Sequence, residues 1–287
     1  MAGIMSTTKA HREGARARKR KQGWRTAEGS DIHELYELSV QDPDNEIDII
    51  GLIWSEQRGR PCRSIREDFC GTAAVAIRWV REDDAHTAIG VDLDDDVLDW
   101  ARARASEQLD SAQSTRLVLL KGDVLSTVTD PVDCLLAHNF SYYAFKQRSH
   151  VINYYRTALN GLVDDGLFIL DAYGGSDSFV EMEEERDMDG FTYVWDQHKY
   201  DPVTGDVVNH IHFRFPDGTS IDRAFTYQWR LWTIPEIREM LIEAGFKEAI
   251  VYWEGTDEDT DEGNGEWVVV EQGEACEGWI AYVVGVK

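Results

Sequence analysis

The sequence predicts an α/β protein: a parallel sheet with helices on both faces, carrying an antiparallel β insert. Two patterns predict it. Between residues 64 and 172, short continuous apolar runs alternate with segments whose apolar residues recur at helical spacing, as expected for strands buried on both faces. Between residues 192 and 232 the period changes to two, with turn-forming residues between the runs.

The elements follow in order. Ile32, Leu35, Tyr36 and Leu38 to Val40 suggest a first helix, and Ile47 to Trp54 a second, with Ile47, Ile50, Gly51 and Trp54 on one face. Ser64 to Glu67 is the first strand, although Arg66 interrupts its apolar run. Thr72 to Arg81 is a helix, with Ala73, Ala76, Ile77 and Val80 at helical spacing. Ala88 to Asp92 is the second strand. The next helix, Asp94 to Leu109, opens on acids that suit the positive end of its dipole. Leu117 to Leu120 and Asp133 to Ala137 are the third and fourth strands. Ser149 is expected to cap a helix carrying Val151, Ile152, Tyr155, Leu159 and Leu162, and Gly166 to Ala172 is the fifth strand.

Three antiparallel strands are predicted next: Thr192–Tyr200, Val207–Phe215 and Ile221–Trp232. Asp-Pro-Val-Thr-Gly (201–205) and Pro-Asp-Gly (216–218) supply their turns. Alternation puts Ile211, Phe213 and Phe215 on one face, with Phe225, Tyr227 and Trp229 opposite, and His210, His212 and Arg214 on the other. Thr233-Ile-Pro-Glu236 is a capping box that starts a helix ending at Gly245. Glu248–Trp253 and Trp279–Val286 make a last strand pair. This organisation divides the chain into a disordered basic tail (1–23), an N-terminal helical cap (24–60), an α/β core (61–175), a β lid (176–232) and a closing helix and strand pair (233–287).

Composition narrows the function classes. The chain has 287 residues, 43% hydrophobic, which is ordinary globular material able to bury a large core. No apolar run approaches the roughly 20 residues that span a bilayer, and no signal-peptide core follows the first Met, so a cytoplasmic location is expected. Cys62, Cys70, Cys134 and Cys276 are scattered and form no C-x-x-C pair, which suits reduced thiols rather than a disulfide frame or zinc site. The net charge is −25, yet residues 1–25 hold eight Lys or Arg against one Glu. The acidic body repels nucleic acid and anionic membrane, leaving the Arg16–Lys21 stretch as a solvated tail, an RNA contact or an address. Scarce Lys with abundant acids suits a high-salt cytoplasm and an acidic mesophile about equally.

The chemistry concentrates at the strand ends. Glu67-Asp68-Phe69-Cys70-Gly71-Thr72-Ala73 leaves the first strand and opens a helix. Asp92 ends the second strand about 20 residues later, and Asp123 follows the third. A Gly turn followed by an acid at that distance is built to hold a nucleoside. Gly71 allows close approach, Asp92 suits a ribose diol with Leu93 beside it, and Asp123 with the Val124 amide suits an adenine. Pyrophosphate needs two or three glycines, whereas Phe69 and Ala73 stand here and further acids follow Asp92, which argues against a nicotinamide cofactor.

With Asp92, Asp123 and the Gly71 turn in these places, the chain resembles the class I S-adenosylmethionine-dependent methyltransferases over roughly residues 60–175 and 229–246. The usual first motif is an Asp followed by Gly-x-Gly-x-Gly. Here Glu67 stands for the Asp, Gly71 for the middle glycine, and Phe69 and Ala73 for the outer two. The resemblance implies a Rossmann-like seven-stranded sheet with S-adenosylmethionine held by Glu67, Phe69, Cys70, Gly71, Thr72, Asp92, Leu93, Asp123, Val124 and Asn139. It further implies an N-terminal segment with Trp24 and Tyr36 closing over the cofactor.

At the fourth-strand exit, where such enzymes face the transferring methyl, stand His138, Asn139, Tyr142 and Tyr143; His138 and the two tyrosines are the catalytic candidates, with core packing the other reading of the tyrosines. The Asn/Asp-Pro-Pro-Tyr/Phe signature of base-amine methylation is absent. The β insert is similar to the lid of small-molecule methyltransferases of the glycine N-methyltransferase type, which makes Asp171, Tyr173, Trp195, Arg230 and Trp232 substrate candidates, with Arg230 suited to a carboxylate. No metal is expected: Arg214 shares the face of His210 and His212, and the calcium-loop-like Asp257–Glu262 has Glu262 where Gly is required and Val268 where Glu is required. The expected activity is methyl transfer to a small amine or carboxylate-bearing metabolite, with a homodimer left open. RNA- or protein-directed methylation and non-catalytic cofactor binding are the alternatives.

Overall fold

The computed structural model describes residues 25–257 and 262–287. The basic tail, Trp24 and the centre of the acidic 257–262 segment lie outside them. Two sheets form. The larger has the order β11-β10-β12-β5-β4-β1-β2-β3. Its parallel half comprises β1 (Ser64–Asp68), β2 (Thr87–Asp92), β3 (Leu117–Lys121), β4 (Val132–Ala137) and β5 (Leu162–Gly174). Strand β12 (Trp279–Val286) runs antiparallel to β5, followed by β10 (Glu248–Asp257) and β11 (Glu262–Val269). The sheet thus has one strand more than the seven expected. The extra strand, β11, begins at Glu262, where the acidic loop-like segment ends; its alternation is broken by Gly263 and Gly265, so it gives little strand signal.

Helices cover both faces. Helices α2 (Pro43–Gln57), α3 (Ala74–Glu82) and α4 (Asp95–Gln108) pack on one side, with Ile50, Ile53, Ile77 and Leu98 at their core. Helix α2 starts where Asp42 accepts the Asn45 N–H and Pro43 takes the first turn. A single turn, α5 (Ser111–Ser114), precedes β3. Helices α6 (Arg148–Asn160) and α7 (Ile234–Ala244) cover the other side together with α1 (Ile32–Val40). Helix α6 is capped by Gln147 without a side-chain hydrogen bond, so Ser149 is not its cap. The Thr233–Glu236 capping box and the Gly245 stop of α7 form as expected.

Arg66 inside β1 is explained by a buried ion pair, Nε to Asp68 Oδ1 at 2.7 Å, with the Tyr154 hydroxyl donating to Asp68 Oδ2 at 3.1 Å. Removing one partner of such a pair costs about 3–5 kcal/mol. The insert has four strands, not three: β6 (Met182–Asp187), β7 (Thr192–Tyr200), β8 (Asp206–Arg214) and β9 (Ser220–Arg230). Strand β6, Met-Glu-Glu-Glu-Arg-Asp, has no apolar alternation, and pairing with β7 rather than burial defines it. Register places Tyr193, Trp195, Asn209, Ile211, Tyr227 and Trp229 on one face, turned to the core. The four cysteines are free thiols.

Candidate active site

Strand β1 is flanked by β2 and β4, so the chain reverses its direction of travel across the sheet between β1 and β4. Crevices outside the carboxyl ends of strands at such a reversal are where open α/β sheets bind ligands. Both strand exits there are held in left-handed backbone.

At the β1 exit, Phe69, Gly71 and Ala73 have φ of 56°, 51° and 56°. The outer two positions therefore keep a glycine-like conformation without glycine, at a cost of order 1–2 kcal/mol each. Carboxylates hold the turn. Gly71 N–H donates to Asp92 Oδ2 at 2.8 Å, and Asp94 N–H to Asp92 Oδ1 at 3.0 Å. Ala73 caps α3 with no side-chain bond, and Glu67 replaces the missing cap by accepting Ala76 N–H at 2.9 Å. Thr72 hydroxyl donates to Gln41 at the end of α1 at 2.9 Å, joining the N-terminal cap to the turn.

Asp92 is half-buried, and each oxygen has accepted one N–H; a carboxylate offers about four lone-pair sites, so one per oxygen remains. A Cβ built on Gly71 would meet no atom within 4 Å. Leu93 is 68% exposed on the rim. Asp123 is exposed, with Oδ1 accepting Leu125 N–H at 2.9 Å, and Val124 is buried beside it. Cys70 is buried, and desolvation pushes its thiol pKa well up, so it packs rather than reacts.

At the β4 exit, Asn139 and Phe140 both have φ of 56°. Asp171 clamps them, Oδ2 accepting Asn139 N–H at 2.7 Å and Oδ1 accepting Phe140 N–H at 2.8 Å. Burial raises the Asp171 pKa to about 7. Asp171 therefore shapes the turn rather than presenting a free carboxylate. His138 is buried with Nδ1 3.0 Å from Glu46 Oε2 on α2, an ion pair without hydrogen-bond alignment, and with no partner on Nε2. Burial alone would lower its pKa, but Glu46, Asp171 and Glu67 raise it to about 9. Burial lifts Glu67 to about 8. Tyr142 and Tyr143 are fully buried, their hydroxyls donating to the carbonyls of Asp171 at 2.8 Å and Trp232 at 3.1 Å.

The insert and α1 meet over this edge. The Phe140 ring lies 4.7 Å from Tyr173 and 6.3 Å from Trp229, and Trp229 lies 6.3 Å from Trp195. Tyr36 on α1 hydrogen-bonds the Tyr227 hydroxyl, and burial pushes its pKa up to about 12. Tyr193 Oη and Trp195 Nε1 are buried without partners. Tyr173 hydroxyl takes a long 3.5 Å bond from Asn209. Arg230 is engaged elsewhere: its guanidinium stacks 3.8 Å over Trp232 and donates to the Lys146 carbonyl and to Glu236. Trp232 is buried, with Nε1 donating to the Phe145 carbonyl at 3.1 Å.

Sequence reasoning missed Glu46, Gln41, Tyr193 and Asn209. Strand alternation already placed Tyr227 inward, and the same parity marks Tyr193 and Asn209; nothing local marks Glu46 or Gln41, which act through tertiary contact. A groove of about 700 Å³ between α7 and the β10–β11 edge, lined by Gln57, Arg238, Ile242 and Val269 among others, includes none of the expected site residues.

No protein-family model and no curated protein matches the chain. Solved structures do. An S-adenosylmethionine-dependent methyltransferase from Clostridium acetobutylicum is 17% identical, with 88% of this chain and 97% of that one covered at a TM-score of 0.64. The sugar N-methyltransferase KedS8 from a Streptoalloteichus species is 16% identical, covering 93% and 97% at 0.61. CalS10 with its cofactor bound, an amino pentose methyltransferase from Micromonospora echinaspora, is 12% identical, covering 93% and 100% at 0.62. The chain has the fold of the S-adenosylmethionine-dependent methyltransferases.

Proposed function

We propose that this chain transfers a methyl group from S-adenosylmethionine to an amine of a small molecule. The observation that carries the reading is the β1 exit: a glycine whose missing side chain leaves open space, next to a half-exposed carboxylate with lone pairs to spare. Those features fit a nucleoside whose ribose diol donates to Asp92, with Leu93 against the base and Asp123 and Val124 at its edge. When bound, the cofactor supplies an electrophilic methyl on a sulfonium, and the protein's task is alignment, worth up to about 7–11 kcal/mol.

The aromatic cluster under the insert is suited to an amine. Trp195, Tyr227 and Trp229 pack ring against ring there, with Tyr36 hydrogen-bonded to Tyr227, and aromatic ring faces attract a cationic group. Tyr193 Oη and Trp195 Nε1 give a polar acceptor the partners it would lose on leaving water. The carboxylate-bearing acceptor loses its proposed holder, because Arg230 is spent on Trp232, Lys146 and Glu236. An ammonium must release its proton to solvent before its lone pair can attack. Despite burial, Glu46, Asp171 and Glu67 raise the His138 pKa to about 9, which disfavours it as the base.

The test is turnover with labelled S-adenosylmethionine over a panel of aminosugars, amino acids and simple amines, with RNA and a protein extract as further acceptors. Label on an amine supports the reading. Label only on RNA or protein, or binding without transfer to any acceptor, overturns it.

A further inference from the structure

The outward face of the insert carries a second constellation, away from the aromatic cluster on its inner face. We propose that Asp196, His198 and His210 form a binding site for a first-row divalent transition ion such as zinc. One ligand atom from each residue lies within 4.8 Å of the others. The β7–β8 register sets Asp196 directly opposite His210, so both point to the same face. His198 follows two positions after Asp196, where a register shift between Gln197 and Lys199 releases it from the ladder. Its ring stands 5.0 Å from that of His210.

The surrounding hydrogen bonds are those a metal site uses. His212 Nδ1 accepts the Arg223 backbone N–H at 3.1 Å, which places the ring proton on Nε2. That Nε2 lies 3.3 Å from Asp196 Oδ2, so His212 orients the carboxylate. Thr226 Oγ1 lies 2.9 Å from His210 Nδ1, which leaves His210 Nε2 as the ligand atom. His210 is 4% exposed, whereas the His198 side chain is 50% exposed and forms the mouth. Donors around an ion with bonds of about 2.1 Å stand roughly 3.4 Å apart. The exposed His198 is free to swing inward and close that difference.

Arg214, the cation that argued against a metal, is taken up by Glu183 and Glu185 on β6. Arg223 sets a positive charge near His210; it is offset by Asp196 and by Asp222, whose carboxylate lies 3.7 Å from His212 Nδ1. Two imidazoles and a carboxylate suit zinc, cobalt or nickel better than magnesium or calcium. A bound ion would tie β7 to β8 on the side of the insert opposite Trp195.

The experiment uses the full, untagged chain stripped with chelator, titrated with zinc chloride by calorimetry and with cobalt chloride by visible absorption. One equivalent of zinc at micromolar affinity, with cobalt ligand-field bands and a rise in melting temperature, is expected. His198→Ala, at an exposed position that leaves folding intact, should lose at least about tenfold in affinity, and His212→Gln about tenfold with the stoichiometry kept. His150→Ala, at an exposed histidine outside the cluster, should bind as the parent does. Failure of the parent to bind submillimolar zinc, or unchanged affinity in His198→Ala, overturns the site.

Discussion

The exits of β1 and β4 solve the same problem with the same chemistry and end in different roles. Each bends through left-handed residues, and each is held by a carboxylate from the next strand outward. Asp92, at the β1 exit, is half-exposed and keeps lone pairs beyond the two N–H groups it holds. Asp171, at the β4 exit, is buried and gives both oxygens to Asn139 and Phe140. Exposure, not residue type, decides which acid can meet a ligand and which one only shapes the backbone that does.

The contrast breaks most directly at Asp171. Asp171→Ala should destabilise the protein by about 1–3 kcal/mol for the buried Phe140 N–H it leaves unpaired, and by less for the half-buried Asn139 N–H. Asp171→Asn, which keeps one carbonyl acceptor, should lose less; urea denaturation measures both. Equal, small losses would mean that the β4 exit is not clamped.

Gly71→Ala sharpens the other side. The φ of 51° makes alanine cost about 1–2 kcal/mol of stability, and no neighbouring atom adds a clash. Its methyl would enter the space assigned to the cofactor, so affinity for S-adenosylhomocysteine should fall at least about tenfold. A thermal melt and a ligand titration on the same sample separate the two effects. Unchanged affinity would place the ligand elsewhere.

The smallest effect is with pH. Glu67, Asp171 and His138 all have pKa values raised in the folded state, to about 8, 7 and 9. The folded protein therefore binds protons that the unfolded chain has released, and the stability they contribute, complete below the unfolded pKa values, is lost as pH rises through the folded ones. The melting temperature should fall between pH 6 and pH 9, and Glu67→Gln, which still accepts Ala76 N–H, should flatten that fall. A melting temperature that rises over this range would contradict the assigned directions.

Much of this was legible in the chain, for physical reasons. Strand β4 and the second half of β5 are continuous apolar runs because both faces are buried, and Asp92 and Asp123 stand where the apolar runs of β2 and β3 stop. The insert's inner face follows from period two. Strand β6 was invisible because it is charged and held by pairing alone, and β11 because glycines interrupt it. The catalytic reading of Tyr142 and Tyr143 rested on position at the strand exit; sequence does not reveal that their hydroxyls reach the Asp171 and Trp232 carbonyls. Arg230 looked available for a substrate because nothing in its neighbourhood along the chain discloses Lys146, 84 residues away.

The sharpest test is a calorimetric titration of the parent and Asp92→Ala with S-adenosylhomocysteine. Binding at one site in the parent, weakened by about 1–3 kcal/mol in the variant while its melting temperature stays close to the parent's, is the predicted result. No heat from the parent at millimolar ligand, or equal affinity in the two proteins, would contradict it.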